Sequence, residues 1–192
     1  MSGIVASLLT SVGLGAGAGV NSYATLLVFG LLARWRPGMF PGELAAFFAR
    51  TPVLIVIGVL YTIEFVADKV PAVDHVWDVI HTFIRPLAGA FVAWAAAAPG
   101  VPRGIVIVAA VLGGGAALAT HGVKATLRVA STATTAGAAN PVLSLVEDVF
   151  AFANAILVLL LPALALVLVV LAVAAVWRFR RRNTMSAGRH QM

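Results

Sequence analysis

Residues Val149–Trp177 read VFAFANAILVLLLPALALVLVVLAVAAVW, 29 positions without a charged side chain. As a helix at 1.5 Å per residue this stretch is ~43 Å long, more than the ~30 Å hydrocarbon core of a bilayer. A soluble domain has no interior able to hide such a segment. Pro162 lacks a backbone donor and crowds the turn before it, so a kink is expected there. Nothing else between Ile156 and Val176 reads as a turn.

Four more apolar stretches precede it: Gly3–Ala33, Pro52–Ala67, a segment amphipathic from Asp74 and apolar through Leu87–Ala98, and Gly104–Val123. Whole-chain composition agrees. Of 192 residues 61% are hydrophobic and 10% charged, against roughly 45–50% and about 25% in soluble domains. These figures exclude a soluble or disordered chain. Cys is absent, which excludes disulfides and thiolate chemistry. The expected fold is all-α: a polytopic transmembrane helical bundle of about five spans, one domain over 1–182, with a flexible tail over 183–192. The first stretch is 31 residues long and carries glycines at 13, 15, 17 and 19. Glycine weakens a helix, so either one long tilted helix or two half-helices meeting near Val20-Asn21-Ser22 fits. No Lys or Arg precedes that run, unlike a secretory signal.

Orientation follows from the positive-inside rule. Arg34, Arg36 and Arg50 flank one loop, Arg103 lies in another, and Arg178, Arg180, Arg181, Arg182 and Arg189 follow the last stretch. All three segments face the cytoplasm if the chain starts outside, crosses five times and ends inside a cytoplasmic (inner) membrane. The net charge of +6 then reports orientation and contact with the lipid bilayer, not nucleic acid. The piece Glu43–Arg50 has Leu44, Phe47 and Phe48 on one side and reads as a short interfacial helix.

Charges inside spans are costly, roughly 2.5–3.5 kcal/mol each at a helix centre by insertion scales. Here they are patterned. Glu64 and Asp68 are four apart and share a helix face. Asp74, Asp78, His81 and Arg85 follow on one face of the next helix, with Asp74 as its expected N-cap. His121, Lys124 and Arg128 share a face, Asn140-Pro141 begins a helix bearing Glu147 and Asp148, and Asn21 follows the glycine run. In the five-span arrangement all of these fall in the outer half. Lys69 reads as a solvated loop residue.

Three readings of this cluster stand side by side. The first is a transporter or channel, with Asn21, Glu64, Asp68, Asp74, Asp78, His81, Arg85, His121, Lys124, Arg128, Glu147 and Asp148 lining a substrate or ion pathway. The second is a structural or assembly protein whose charges form a salt-bridge network. The third is a metal-binding membrane enzyme. Asp78-x-x-His81 has the spacing of carboxylate-bridged bundle sites, and Glu64 and Glu147 could complete a divalent metal's shell. The chain carries no G-x-S-x-G, no Walker loop and no H-E-x-x-H, so enzyme chemistry has the least support. No cofactor is named by the residues. A homo-oligomer or larger membrane assembly is compatible with them.

The stretch Ala67–Ala90 (ADKVPAVDHVWDVIHTFIRPLAGA), with Gly19-Val20-Asn21-Ser22-Tyr23, Asn140-Pro141 and Ser144–Asp148, resembles a bacterial membrane family catalogued as domain of unknown function number 4126. The likeness covers roughly Gly13 to Val176. It implies a compact multi-pass helical protein and no particular activity.

Overall fold

The computed structural model describes residues 3–69 and 71–161, with isolated positions between 164 and 178; for 71–76 it describes the backbone alone. Pro162, Arg180, Arg181, Arg182, Arg189 and the tail 183–192 lie outside the described residues. The chain folds into α1 (Gly3–Val20), α2 (Ser22–Trp35), a 3-10 turn (Pro37–Met39), α3 (Glu43–Phe48), α4 (Thr51–Ala67), α5 (Pro71–Ala95), α6 (Arg103–Thr135) and α7 (Asn140–Leu160). Three of these, α1, α6 and α7, are long and apolar enough to cross a membrane; α2 and α4 are shorter apolar helices.

The expected helical bundle is therefore present, and its first stretch is broken. The break reverses the chain. Asn21 takes an extended backbone (φ −146°, ψ 107°), and its side-chain oxygen accepts from the Ala24 amide at 2.9 Å, capping α2. A methyl group on Gly17 would lie 3.0 Å from Thr25 Oγ1, although eight residues separate the two. At the far end, Met39 and Phe40 line a cavity with Ala6, Ser7 and Thr10 of α1. The two ends of the first stretch therefore meet at one end of the bundle. A single outside-to-inside crossing over Gly3–Ala33 does not hold. The physical reason is local: an Asx cap ends α1 and starts α2 in another direction, and the glycines let the returning helix come close.

From there the helices alternate. Arg34 Nη1 donates to Thr51 Oγ1 at 2.6 Å, so α4 starts beside the end of α2. The segment after α5 comes back to the start of α1, where the Ala98 amide donates to Ser7 Oγ at 2.9 Å. α6 rises beside α1 in the same direction, with Thr120 Oγ1 donating to Ala16 O at 3.0 Å. α7 descends, with Asn154 Nδ2 donating to Gly13 O at 2.8 Å. Arg34, Arg36, Arg50 and Arg103 thus collect at one end, called the basic end below. Asn21, Asp68 and the α6–α7 turn sit at the other, the polar end.

Close helix approach needs small residues, as membrane interfaces generally do. A methyl group on Gly113 would stand 2.6 Å from Gly89 O, and one on Gly89 would stand 2.7 Å from Gly113 O. α5 and α6 therefore meet backbone to backbone. Below the polar end, Leu14, Phe29, Val92 and Val158 are fully buried, and Phe29 packs its ring 5.1 Å from Phe40 and 6.0 Å from Phe48. Ile55, Val56, Val59, Ile63 and Val66 of α4 and Val79, Phe83, Leu87 and Phe91 of α5 face outward. Apolar surface of that extent fits lipid, not water.

Several local expectations shift. α5 begins at Pro71, so Asp74 lies within the helix and is not its cap; its side chain is outside the described residues. Proline is favoured at a first helical position because the N–H it lacks has no partner there. Pro86 sits inside α5, which continues to Ala95. α7 ends at Leu160 with Leu161 as its C-cap, immediately before Pro162. α3 forms as a short helix, but Phe47 and Phe48 do not share a side: Phe48 lies in the core and Phe47 turns outward, adjacent helical positions being about 100° apart.

Candidate buried charge site

α5 is amphipathic with its polar face inward. Asp78, His81 and Arg85 are buried, while Val79, Ile80 and Phe83 are exposed. The hydrophobic pattern of a soluble helix is thereby inverted, as expected where the outer solvent is apolar and the polar groups find partners inside.

The buried polar groups stack in layers along α6. In the first layer Arg85 is the hub. Its Nη2 lies 2.9 Å from Glu64 Oε1 and 3.7 Å from Asp78 Oδ1; its Nη1 donates to Gly19 O at 2.8 Å and to His121 Nδ1 at 3.1 Å. Glu64, His81 and Arg85 are all 0% exposed. In the second layer Lys124 Nζ lies 2.9 Å from Asp68 Oδ2 and 3.4 Å from Glu147 Oε2, and donates to Val20 O at 3.2 Å. In the third, Arg128 Nη1 donates to Asp68 O at 3.0 Å, and its Nη2 pairs with Asp68 Oδ2 at 3.2 Å and with Glu147. Beside these, Asn21 Nδ2 donates to Asp148 Oδ1 at 2.8 Å, and Lys69 Nζ lies 3.8 Å from Asp148 Oδ2.

Two of these contacts serve the backbone. The last carbonyls of a helix have no partner within it and carry its negative dipole end. α1 has no basic residue in its last turn. Arg85 and Lys124, from other helices, supply the missing donors at Gly19 and Val20. The chain break at Asn21 and the charge network are thus one structure.

Asp68 lies just past the end of α4. Burial works against its charge, but Lys124 and Arg128 outweigh that and hold its carboxyl below the ordinary 3.8.

Hydrogen bonding fixes the tautomers of both buried histidines. His121 Nδ1 faces a guanidinium and can only accept, so its Nε2–H donates to Thr82 Oγ1 at 3.0 Å, and Thr82 donates to Asp78 O. His81 Nδ1 sits 2.9 Å from Trp77 O, a carbonyl, and so must donate. Its Nε2 points to Glu64 Oε1 at 3.8 Å and makes no hydrogen bond; neither does Glu64 Oε2, Asp68 Oδ1 or Arg85 Nε. Trp77 and Tyr23 enclose the His81 ring, with centroids 5.2 and 5.7 Å away.

The family model described as Domain of unknown function (DUF4126) matches residues 8–182. The chain belongs to this family. The DUF4126 match takes in every residue of the site, from Gly19 at the end of α1 to Asp148 of α7. No curated protein and no solved structure matches the chain.

Eleven of the twelve residues picked from the sequence are described as side chains, and all eleven meet in this network; Asp74 is the exception. Their proposed use as metal ligands meets an obstacle. Arg85 Nη2 occupies the position between Glu64 and Asp78 where a cation would bind. Among the described residues no three His, Asp or Glu side chains gather around a metal position. Lys69, read as a solvated loop residue, is instead half-buried: it lies over the Phe65 ring and donates to Phe65 O and Ser144 Oγ. Thr82, Ser144 and Tyr23 are not among the site residues picked from the sequence, because neutral side chains leave no charge signal. Ser144 stands four residues before Asp148, the one spacing that pointed to it.

Proposed function

We propose that this DUF4126 protein is a small membrane transporter or channel whose working centre is the Glu64–Asp78–His81 corner, with Arg85 and Lys124 as counter-charges. The observation that carries the reading is a pair of buried acceptors left without a donor on neighbouring side chains, His81 Nε2 and Glu64 Oε2. His81 donates through Nδ1, so in the neutral ring Nε2 is a lone pair, and 3.8 Å away it faces Glu64 Oε1, whose one donor is Arg85. Two acceptors opposed in a dry interior are unfavourable unless a proton or a protonated water lies between them. The corner therefore suits reversible proton binding. Its place beside a broken helix supports the reading, since small transporters build their sites where helices are interrupted. With the basic end toward the cytoplasm, the corner lies near the outer face.

The salt-bridge reading has its own support in Arg85 and Lys124, which close the last carbonyls of α1. Variants separate the two. Asp78 reaches Arg85 only at 3.7 Å, and His81 makes one backbone hydrogen bond. Asp78→Ala and His81→Ala are expected to abolish proton flux into liposomes while the detergent-extracted protein stays folded. If both variants lose folded protein in step with flux, the network is structural.

A further inference from the structure

The basic end carries a separate feature. Ala33 and Arg34 at the end of α2, the loop through Pro37 and Phe40, and Ala49 and Arg50 after α3 enclose an open hollow of about 510 Å³. That volume falls within the range of small-ligand sites. No acidic side chain lines it. Among the described residues neither Arg34 nor Arg50 has a carboxylate in ion-pair reach. This contrasts with the polar end, where every buried cation is paired.

Arg34 is held in position. Its Nη1 donates to Thr51 Oγ1 at 2.6 Å and to Ala49 O at 3.4 Å. A guanidinium has five N–H donors in a fixed fork, so the rest of the group remains for a ligand. Arg50 stands over the Phe47 ring, 5.9 Å from its centroid. The surroundings are those of a membrane interface: Trp35, Met39 and Phe47 are exposed beside the hollow. One turn beyond Arg50 begins the outward apolar column Ile55, Val56 and Val59 of α4.

We propose that this hollow binds a phosphate group, and that the phosphate belongs to an anionic phospholipid. Arg34 and Arg50 take the phosphate oxygens, to which the planar guanidinium is matched. The acyl chains lie along Ile55, Val56 and Val59. A soluble phosphate ester has the same charge but nothing to place on that column.

The full-length protein in neutral detergent tests this. Phosphatidylglycerol, phosphatidylcholine and glycerol 3-phosphate are titrated separately, and bound ligand is read by native mass spectrometry. Phosphatidylglycerol is expected to bind in preference to phosphatidylcholine. Arg50→Gln should weaken it about fivefold, and Arg34→Gln with Arg50→Gln about twenty-five-fold, at the usual worth of an arginine near anionic lipid. Arg36→Gln, outside the lining, should leave it unchanged. Arg50→Gln keeps the Arg34–Thr51 bond, so the test survives if the double variant fails to fold. Equal binding of the two lipids, or an equal loss from Arg36→Gln, overturns the site. Binding of glycerol 3-phosphate as tightly as the lipid overturns the lipid assignment.

Discussion

Arg85 and His81 are one turn apart on α5, both fully buried, and the structure asks opposite things of them. Arg85 holds Glu64, Gly19 O and His121 at once. Removing one member of a buried ion pair strands the other and costs about 3–5 kcal/mol. Arg85→Met is therefore expected to lower the detergent melting temperature sharply, whereas His81→Ala should not. Equal losses from the two would contradict this division. Asp68 adds a pH signature. Its carboxyl is held below the ordinary value, so its contribution to stability is complete above about 3.8, the ordinary carboxyl value, and is lost as pH falls through the lowered one. In Asp68→Asn that part of the acid transition should disappear from a pH series of melting curves. At this scale the sequence was informative wherever a charge stood in an apolar stretch. It was silent on direction: Lys69 reads as solvated because only the fold brings Ser144 to it.

Among the elements, α6 is the spine. Its buried stripe runs from Gly113 through Ala117, His121, Lys124 and Arg128 to Ser131, small residues where helices touch and charged ones where they must be joined. Adding volume at the crossing should be costly: Gly113→Val places branched atoms against Gly89 O and is expected to lose more than the roughly 1–3 kcal/mol of ordinary overpacking, because backbone, not a side chain, must yield. Where α6 ends, Ala136 takes a left-handed conformation (φ 51°) ahead of Gly137. Such a position suits glycine. Ala136→Gly should therefore stabilise the protein by about 0.5–1 kcal/mol, and a melting temperature no higher than the parent's would contradict the turn geometry. The sequence located α6 and α7 and marked the start of α7 at Asn140, but not the end of α6. α6 runs on to Thr135, past its apolar stretch, because the His121, Lys124 and Arg128 face is buried.

For the whole molecule the chain reversal at Asn21 matters most. Five apolar stretches and the arginine distribution gave a consistent alternation with the first stretch crossing once. Hydropathy could not detect the reversal, since both arms of the hairpin are apolar and a one-residue break leaves no polar loop. The glycine run and Asn21 marked the place, and only packing set the direction. The native chain has no cysteine, so single cysteines report topology cleanly. Ile4→Cys and Gly38→Cys should react with an impermeant thiol reagent from the same side of the membrane, and Ala138→Cys from the other. Labelling of positions 4 and 38 from opposite sides would restore the single first crossing and undo the hairpin.

The central proposal is that the Glu64–Asp78–His81 corner moves protons. Purified protein reconstituted into liposomes, with an internal pH-sensitive dye, tests it directly across a series of external pH values. The expected result is pH-dependent flux above protein-free vesicles, lost in His81→Ala protein that remains folded. No flux at any pH, or flux unchanged in folded His81→Ala, would contradict the claim and leave the buried charges as the framework that holds a broken helix in place.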